Sequence, residues 1–371
     1  MNKTGISYMA CGKFMFPQRL VDARRRLQSG DVSSEQLHEV ETECLRDLVR
    51  RQTEAGLQIV SDGCITRTQW DFDFYFGLDG VERRYIESGH IYQDCDLHHP
   101  VPCITGTIGF NDAHPFFSQY MDLASMAPAG VETSVLLPAP AHFLLWLLMQ
   151  DGTWKSVYSD FNRLLGDISR TYNETILKFY GLGCRHIILE DRSWRMLCHR
   201  DGLKRILQAG YDLHQLTSSL RRVNDEALQQ LPAGLDIMLY VKRLEVGVSR
   251  EMASRHCGAI SQIVFGHSNV PTVILDMPDG SEDSVMSIIS HLPAGKRLVI
   301  GVVDGRSPQL ENMDEVAAKI RAARQVIGDS LRGITVIGGF KRESSSISTT
   351  AFLEDDQWQK ISLLRRLADA V

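Results

Sequence analysis

The sequence predicts an α/β fold, a single (β/α)8 TIM barrel, on three observations. Short runs rich in Val, Ile and Leu recur eight times, each followed by an amphipathic stretch of helical length, the alternation that parallel strands with crossover helices produce. No linker rich in Pro, Gly or Ser, no low-complexity tract and no internal repeat divides the 371 residues, so residues 1–371 read as one domain. The ends of the runs collect charged residues, as expected where eight strand ends converge on one mouth.

The predicted barrel strands are residues 7–10, 57–62, 134–138, 186–191, 237–242, 272–276, 298–304 and 334–338. Between the first two, a helix opens near Asp31: Ser33 or Ser34 can cap it, and apolar positions follow at helical spacing through Leu45 and Leu48. Residues 84–130 break the rhythm, with one short β-like piece at 101–108 among Gly, Pro, His and Asp. They read as an excursion over the mouth, the kind of insertion that serves as a lid or an oligomer contact. Tyr85, Ile86, Ile91 and Tyr92 in it would supply a homodimer contact.

Composition narrows the classes. At 43% hydrophobic and 23% charged, the chain can bury a full core, which excludes disordered, collagen-like and disulfide-stapled proteins. Forty basic against 46 acidic residues give a net charge of −6, which argues against nucleic acid as a partner. The longest apolar run, near residues 144–149, stops at Gln150 and Asp151, too short to span a membrane. The first residues lack the apolar run of a signal peptide, and the eight cysteines (Cys11, Cys44, Cys64, Cys95, Cys103, Cys184, Cys198 and Cys257) form no C-x-x-C pair. Reduced thiols and a cytoplasmic location are the expectation.

The predicted strand ends carry Cys11 and Gly12; Asp62 and Cys64; Pro138 and Pro140; Glu190 and Asp191; Tyr240, Lys242 and Arg243; Asp276; Asp304 and Arg306; and Gly338 with Gly339. Five carboxylates and three cations beside a core are costly to desolvate unpaired, so jointly they read as a polar ligand pocket, though each alone fits a loop-capping ion pair. Cys64 near a cation would be a nucleophilic thiolate; packed against apolar neighbours it would be inert. Lys242 suits carboxylate binding, a Schiff base, or a plain ion pair with Asp276 on the next strand. Arg67 and Arg306 suggest bidentate binding of an anionic substrate group, and Glu190 and Asp191 suit proton transfer or hydrogen-bonding to a nitrogen of the substrate. Trp70, Phe72, Phe74 and Trp194 add aromatic area, either as a stacking surface or, for residues 70–74, as a half-buried extended segment that packs the loop. His256 and Cys257 read as ordinary helix residues, and Cys95, Asp96, His98 and His99 as a solvated loop rather than a metal cluster.

Four segments then carry a resemblance: IVSDGCITRTQWDFDF from Ile59, LLPAPAH from Leu136, IILEDRSWRMLC from Ile187 and LVIGVVDGRSPQLE from Leu298. In order and spacing they resemble the C-terminal catalytic domain of cobalamin-independent methionine synthase, especially its short single-domain relatives, over about residues 12–340. The resemblance implies a barrel of the methionine synthase/uroporphyrinogen decarboxylase-like superfamily, in which a zinc-bound thiolate attacks a methyl group on a reduced folate. It also implies zinc ligands on the last strands: His and Cys on one, Glu on the next, Cys near the end. Here Tyr240, Lys242, Asp276 and Gly338 stand at those positions, and one carboxylate beside an ammonium does not supply zinc's donors. The zinc site is therefore expected to be lost. Cys64 replaces the acidic residue expected after Asp62-Gly63, and Arg306 replaces a late-strand His.

The leading expectation is a transferase that moves a methyl or other alkyl group to or from a thiol or small nucleophile, without zinc, with a reduced folate as donor or acceptor. Its catalytic set is Cys64, Glu190, Asp191, Lys242 and Asp276; its substrate-binding set is Asp62, Arg67, Trp70, Trp194, Tyr240, Arg243 and Arg306. A metal-free lyase or decarboxylase of a small carboxylated substrate is the first rival. A non-catalytic ligand-binding descendant is the second.

Overall fold

In the computed structural model, which describes residues 6–85, 100–150, 152–242, 250–278, 280–340 and 353–371, the strands are β1 (Ser7–Met9), β2 (Ile59–Ser61), β3 (Asp79–Arg84), β4 (Val101–Gly109), β5 (Glu132–Pro138), β6 (His186–Asp191), β7 (Asp236–Val241), β8 (Thr272–Asp276), β9 (Arg297–Asp304) and β10 (Leu331–Ile337). Eight of them form one parallel sheet in the order β1-β10-β9-β8-β7-β6-β5-β2, a nearly closed barrel whose end strands are β1 and β2. Across that seam the Tyr8 hydroxyl donates to the carbonyls of Ala55 and Gly56, and the Phe14 amide donates to Gly63 O at 3.0 Å. All eight predicted barrel strands hold within three residues at each end; β2 is shorter than expected, running only from Ile59 to Ser61.

The helices follow the strands in the order the sequence requires: α1 (Gln18–Ser29), α2 (Ser34–Glu54), α3 (Phe72–Tyr75), α4 (Pro115–Met126), α5 (Pro140–Leu148), α6 (Phe161–Gly181), α7 (Ser193–Cys198), α8 (Arg200–Gln208), α9 (Leu213–Ala227), α10 (Arg250–Phe265), α11 (Glu282–Ile289), α12 (Met313–Ile327) and α13 (Glu354–Ala370). Helix α2 is capped by Ser33, whose side chain accepts from the Gln36 amide while the Gln36 side chain accepts from the Ser33 amide. His256 and Cys257 lie in α10, where His256 marks a kink. No described helix is long and apolar enough to cross a membrane.

Residues 84–130 contain more structure than expected. β4 pairs antiparallel with β3, and this ribbon docks on the flank of the barrel: the Trp146 indole of α5 donates to Pro102 O at 3.1 Å, and the Tyr158 hydroxyl before α6 accepts from the Ile108 amide at 2.7 Å. Tyr85 at its edge is exposed, whereas Ile86, Ile91, Tyr92, Cys95, Asp96, His98 and His99 lie outside the described residues. The segment 70–74 is not extended. Asp71 accepts from the Phe72 amide and starts α3, and Phe72 and Phe74 are buried in the core.

Two apolar assemblies result. One fills the space between sheet and helices; a second lies inside the barrel and comprises Cys11, Cys64, Leu136, Ile188, Met238, Tyr240, Ile274 and Val299, with Met9 against it. A buried ion pair fixes one loop of the mouth: the Lys360 ammonium of α13, 0% exposed, meets both Glu311 oxygens at 3.0 and 2.9 Å, and Glu311 accepts from the Asp304 amide at the end of β9. Removing one partner of such a pair strands the other charge away from water. Replacing Lys360 by Met is expected to lower the unfolding free energy by about 3–5 kcal/mol in urea denaturation. A loss below about 1 kcal/mol, the range of exposed pairs, would contradict a buried pair.

Candidate active site at the barrel mouth

Strand alternation decides which charged residues enter the barrel. Ile188, Met238, Ile274 and Val299 face inward, so two residues further on Glu190, Tyr240, Asp276 and Gly301 also face inward, one layer nearer the mouth. Register aligns them: Glu190 is opposite Tyr240, and Asp276 is opposite Gly301. A Cβ on Gly301 would lie 2.6 Å from Asp276 Oδ1, so the carboxylate occupies space that only glycine leaves open.

Glu190 is 1% exposed, and its Oε1 accepts from Lys242 Nζ at 3.0 Å and from Arg192 Nε at 3.1 Å. Burial pushes its pKa up, but Lys242 and then Arg192 outweigh that and hold the carboxyl below its ordinary value. Trp70 lies across the two cations, its ring centroid 4.6 Å from the Arg192 guanidinium carbon and 5.9 Å from Lys242 Nζ, and it also packs on His142 at 5.5 Å. Lys242 therefore does not pair with Asp276 as the sequence suggested. Asp276 Oδ1 instead accepts from the Tyr240 hydroxyl at 2.8 Å, and that hydroxyl accepts from the Gly338 amide at 2.7 Å. Burial, then Asp276, Cys11 and Glu190, push the Tyr240 phenol well up, so it stays protonated.

Zinc does not fit these residues. The phenol at Tyr240 keeps its proton and spends it on Asp276, the ammonium of Lys242 is engaged by Glu190, and Gly338 offers no side chain on a backbone with φ +71°. Among the described residues no cluster of three His, Cys, Asp or Glu side chains is placed to hold a metal ion.

Two thiols share this interior. Cys11 follows β1 by two residues and donates its amide to Thr335 Oγ1; burial first, then Glu190, raises its thiol pKa well above the ordinary value. Cys64 is 1% exposed, and burial pushes its thiol up to about 11 against the opposing effect of Arg67. Its backbone is left-handed, at φ +57°, a conformation that costs a non-glycine residue about 1–2 kcal/mol. Asp62 Oδ1 accepts the Cys64 amide at 3.1 Å and holds the turn. The reactive thiolate envisaged at Cys64 is thus opposed by desolvation.

The remaining predicted residues serve the walls of the site. Arg67 is buried, donating to Leu136 O at 2.7 Å and to Asp62 Oδ2 at 3.2 Å with its guanidinium over Phe116, so it ties β2 to β5. Asp191 points away from the barrel interior: its Oδ1 accepts from the Ser193 amide and hydroxyl, and its Oδ2 from Asn224. Trp194 is fully buried against His267. Arg306 sits at the mouth with its Nε and Nη2 on Asp304. Arg243 lies outside the described residues. Arg192, which the sequence reading did not single out, stands just past the end of β6, where the strand gives way to α7.

At pH 8 a thiol with pKa about 11 is about 0.1% ionised, so Cys64 should be alkylated by iodoacetamide on the order of 100-fold more slowly than a cysteine peptide. Mass spectrometry of a timed reaction checks this, and labelling as fast as the peptide would contradict the buried neutral thiol.

No family model matches the chain. It is 26% identical over 360 residues to the uncharacterized Bacillus subtilis protein YxjG, covering 97% of this chain and 93% of that one. It is 23% identical over 339 residues to the 5-methyltetrahydropteroyltriglutamate–homocysteine methyltransferase 2 of Arabidopsis thaliana, covering 85% of this chain and 40% of that enzyme. A candidate vitamin-B12-independent methionine synthase from Listeria monocytogenes superposes with a TM-score of 0.75 at 22% identity, covering 100% of this chain and 99% of that one. The fold is that of methionine-synthase-like barrels.

Proposed function

We propose that this protein transfers a methyl or other alkyl group to or from a thiol or another small nucleophile, without zinc activation, acting as a cytoplasmic homodimer with a reduced folate as donor or acceptor. The similarity to a named folate-dependent methyltransferase supports the reaction class. The observation that carries the zinc-free form is the hydrogen-bonded chain from Gly338 through Tyr240 to Asp276, which fills the places where the resemblance implies metal ligands.

In this reading Lys242 and Arg192 hold an anionic group of the substrate, and Trp70 covers it. The pocket keeps its own thiols protonated, so an acceptor thiol enters neutral. As the carbon–sulfur bond forms and the bond from the methyl carbon to the donor nitrogen breaks, the thiol proton passes to Glu190, which is held ionised. Because that carboxylate is a weak base, it hands the proton on to the leaving nitrogen.

The second reading, a metal-free lyase or decarboxylase, draws on the same pair of cations, which could grip a substrate carboxylate, and on a largely buried Lys242. The two are separated by incubating the protein with a reduced folate carrying a carbon-13 methyl and a panel of small thiols, with and without a zinc chelator, and following the S-methyl signal by NMR. The proposal expects an S-methyl product that survives chelation and falls at least about 100-fold in rate for Lys242→Ala. Loss of transfer on chelation, or borohydride trapping of a carbonyl substrate on Lys242 in the absence of any transfer, would overturn it.

A further inference from the structure

A small cavity lies outside the barrel wall, between α4, β5 and the turn after β2. Its volume is about 10 Å³, room for about one water, and it is lined by Asp62, Arg67, Phe116, Gln119 and Ser134 among others. Arg67 is 2% exposed, and its guanidinium uses Nη1 on Leu136 O and Nη2 on Asp62, yet its Nε–H has no hydrogen-bond partner. On the same cavity, the buried Oε1 of Gln119 also has no partner. A donor on a charged group and an amide acceptor are thus left unsatisfied on one small polar cavity, at positions where either costs more than an ordinary surface group.

We propose that this cavity holds a bound water that accepts from Arg67 Nε–H and donates to Gln119 Oε1. Water is the one solvent species that can both accept and donate at that size, and it serves whichever end of the Gln119 amide faces it. An apolar solute would leave both groups unsatisfied. The water completes the coordination of the guanidinium that joins the Asp62–Cys64 turn to the end of β5, so it belongs to the frame of the mouth rather than to its chemistry.

A crystal structure at high resolution, together with Gln119→Leu and Gln119→Glu variants, tests this without reference to any activity. The expected result is a solvent peak within hydrogen-bond distance of both atoms, lost in Gln119→Leu, with the melting temperature of that variant lowered by about 2–4 °C and that of Gln119→Glu retained. A direct Arg67–Gln119 hydrogen bond, an empty cavity, or a Gln119→Leu variant that melts at or above the parent temperature would overturn it, since an apolar filler is tolerated only where no water was bound.

Discussion

Two carboxylates inside the barrel, Glu190 and Asp276, have to be satisfied within a few ångströms of an apolar layer, and the mouth is arranged around that requirement. An isolated ionised carboxylate in such surroundings is prohibitively costly. Each is answered differently. Glu190 receives two cations on one oxygen, whereas Asp276 receives a phenol whose own oxygen is pinned by a backbone amide. Glycine at position 301 is the steric condition for the second arrangement, and the left-handed turn at Gly338 places the amide that completes it.

These solutions explain why the interior is polar without being a thiolate site. Burial is the largest influence on both thiols: at Cys11 it outweighs Lys242, which pairs with Glu190, and at Cys64 it outweighs Arg67, which pairs with Asp62, and Lys13. In the proposed reaction, chemistry at this mouth starts from neutral nucleophiles and moves protons through Glu190. A metal-activated thiolate would need a different set of donors.

Much of this was legible in the sequence. The eight runs located the barrel strands, because fully buried parallel strands must be continuously apolar, and the Ser33 cap of α2 followed from its side-chain chemistry. Strand ends named the residues at the mouth. What spacing did not reveal was direction: Glu190 and Asp191 are neighbours, but a period of two sends one inside and the other toward Ser193 and Asn224. Nor does sequence proximity decide pairing across strands. Lys242 had Asp276 on the next strand in one direction and Glu190 in the other, and the outcome depended on Tyr240 claiming Asp276 first. The 70–74 segment misled for a related reason, since alternating aromatic and acidic residues suit an extended strand until Asp71 caps a helical turn.

The central claim is that hydrogen bonds and an ion pair, rather than a metal, close the space between β7, β8 and β10. Elemental analysis of the purified protein after equilibration with equimolar zinc and removal of weakly bound ions addresses it directly. The account predicts far less than one zinc per chain, with no change when Tyr240 is replaced by Phe. Stoichiometric zinc, retained through dialysis and lost when Asp276 is replaced by Asn, would contradict it.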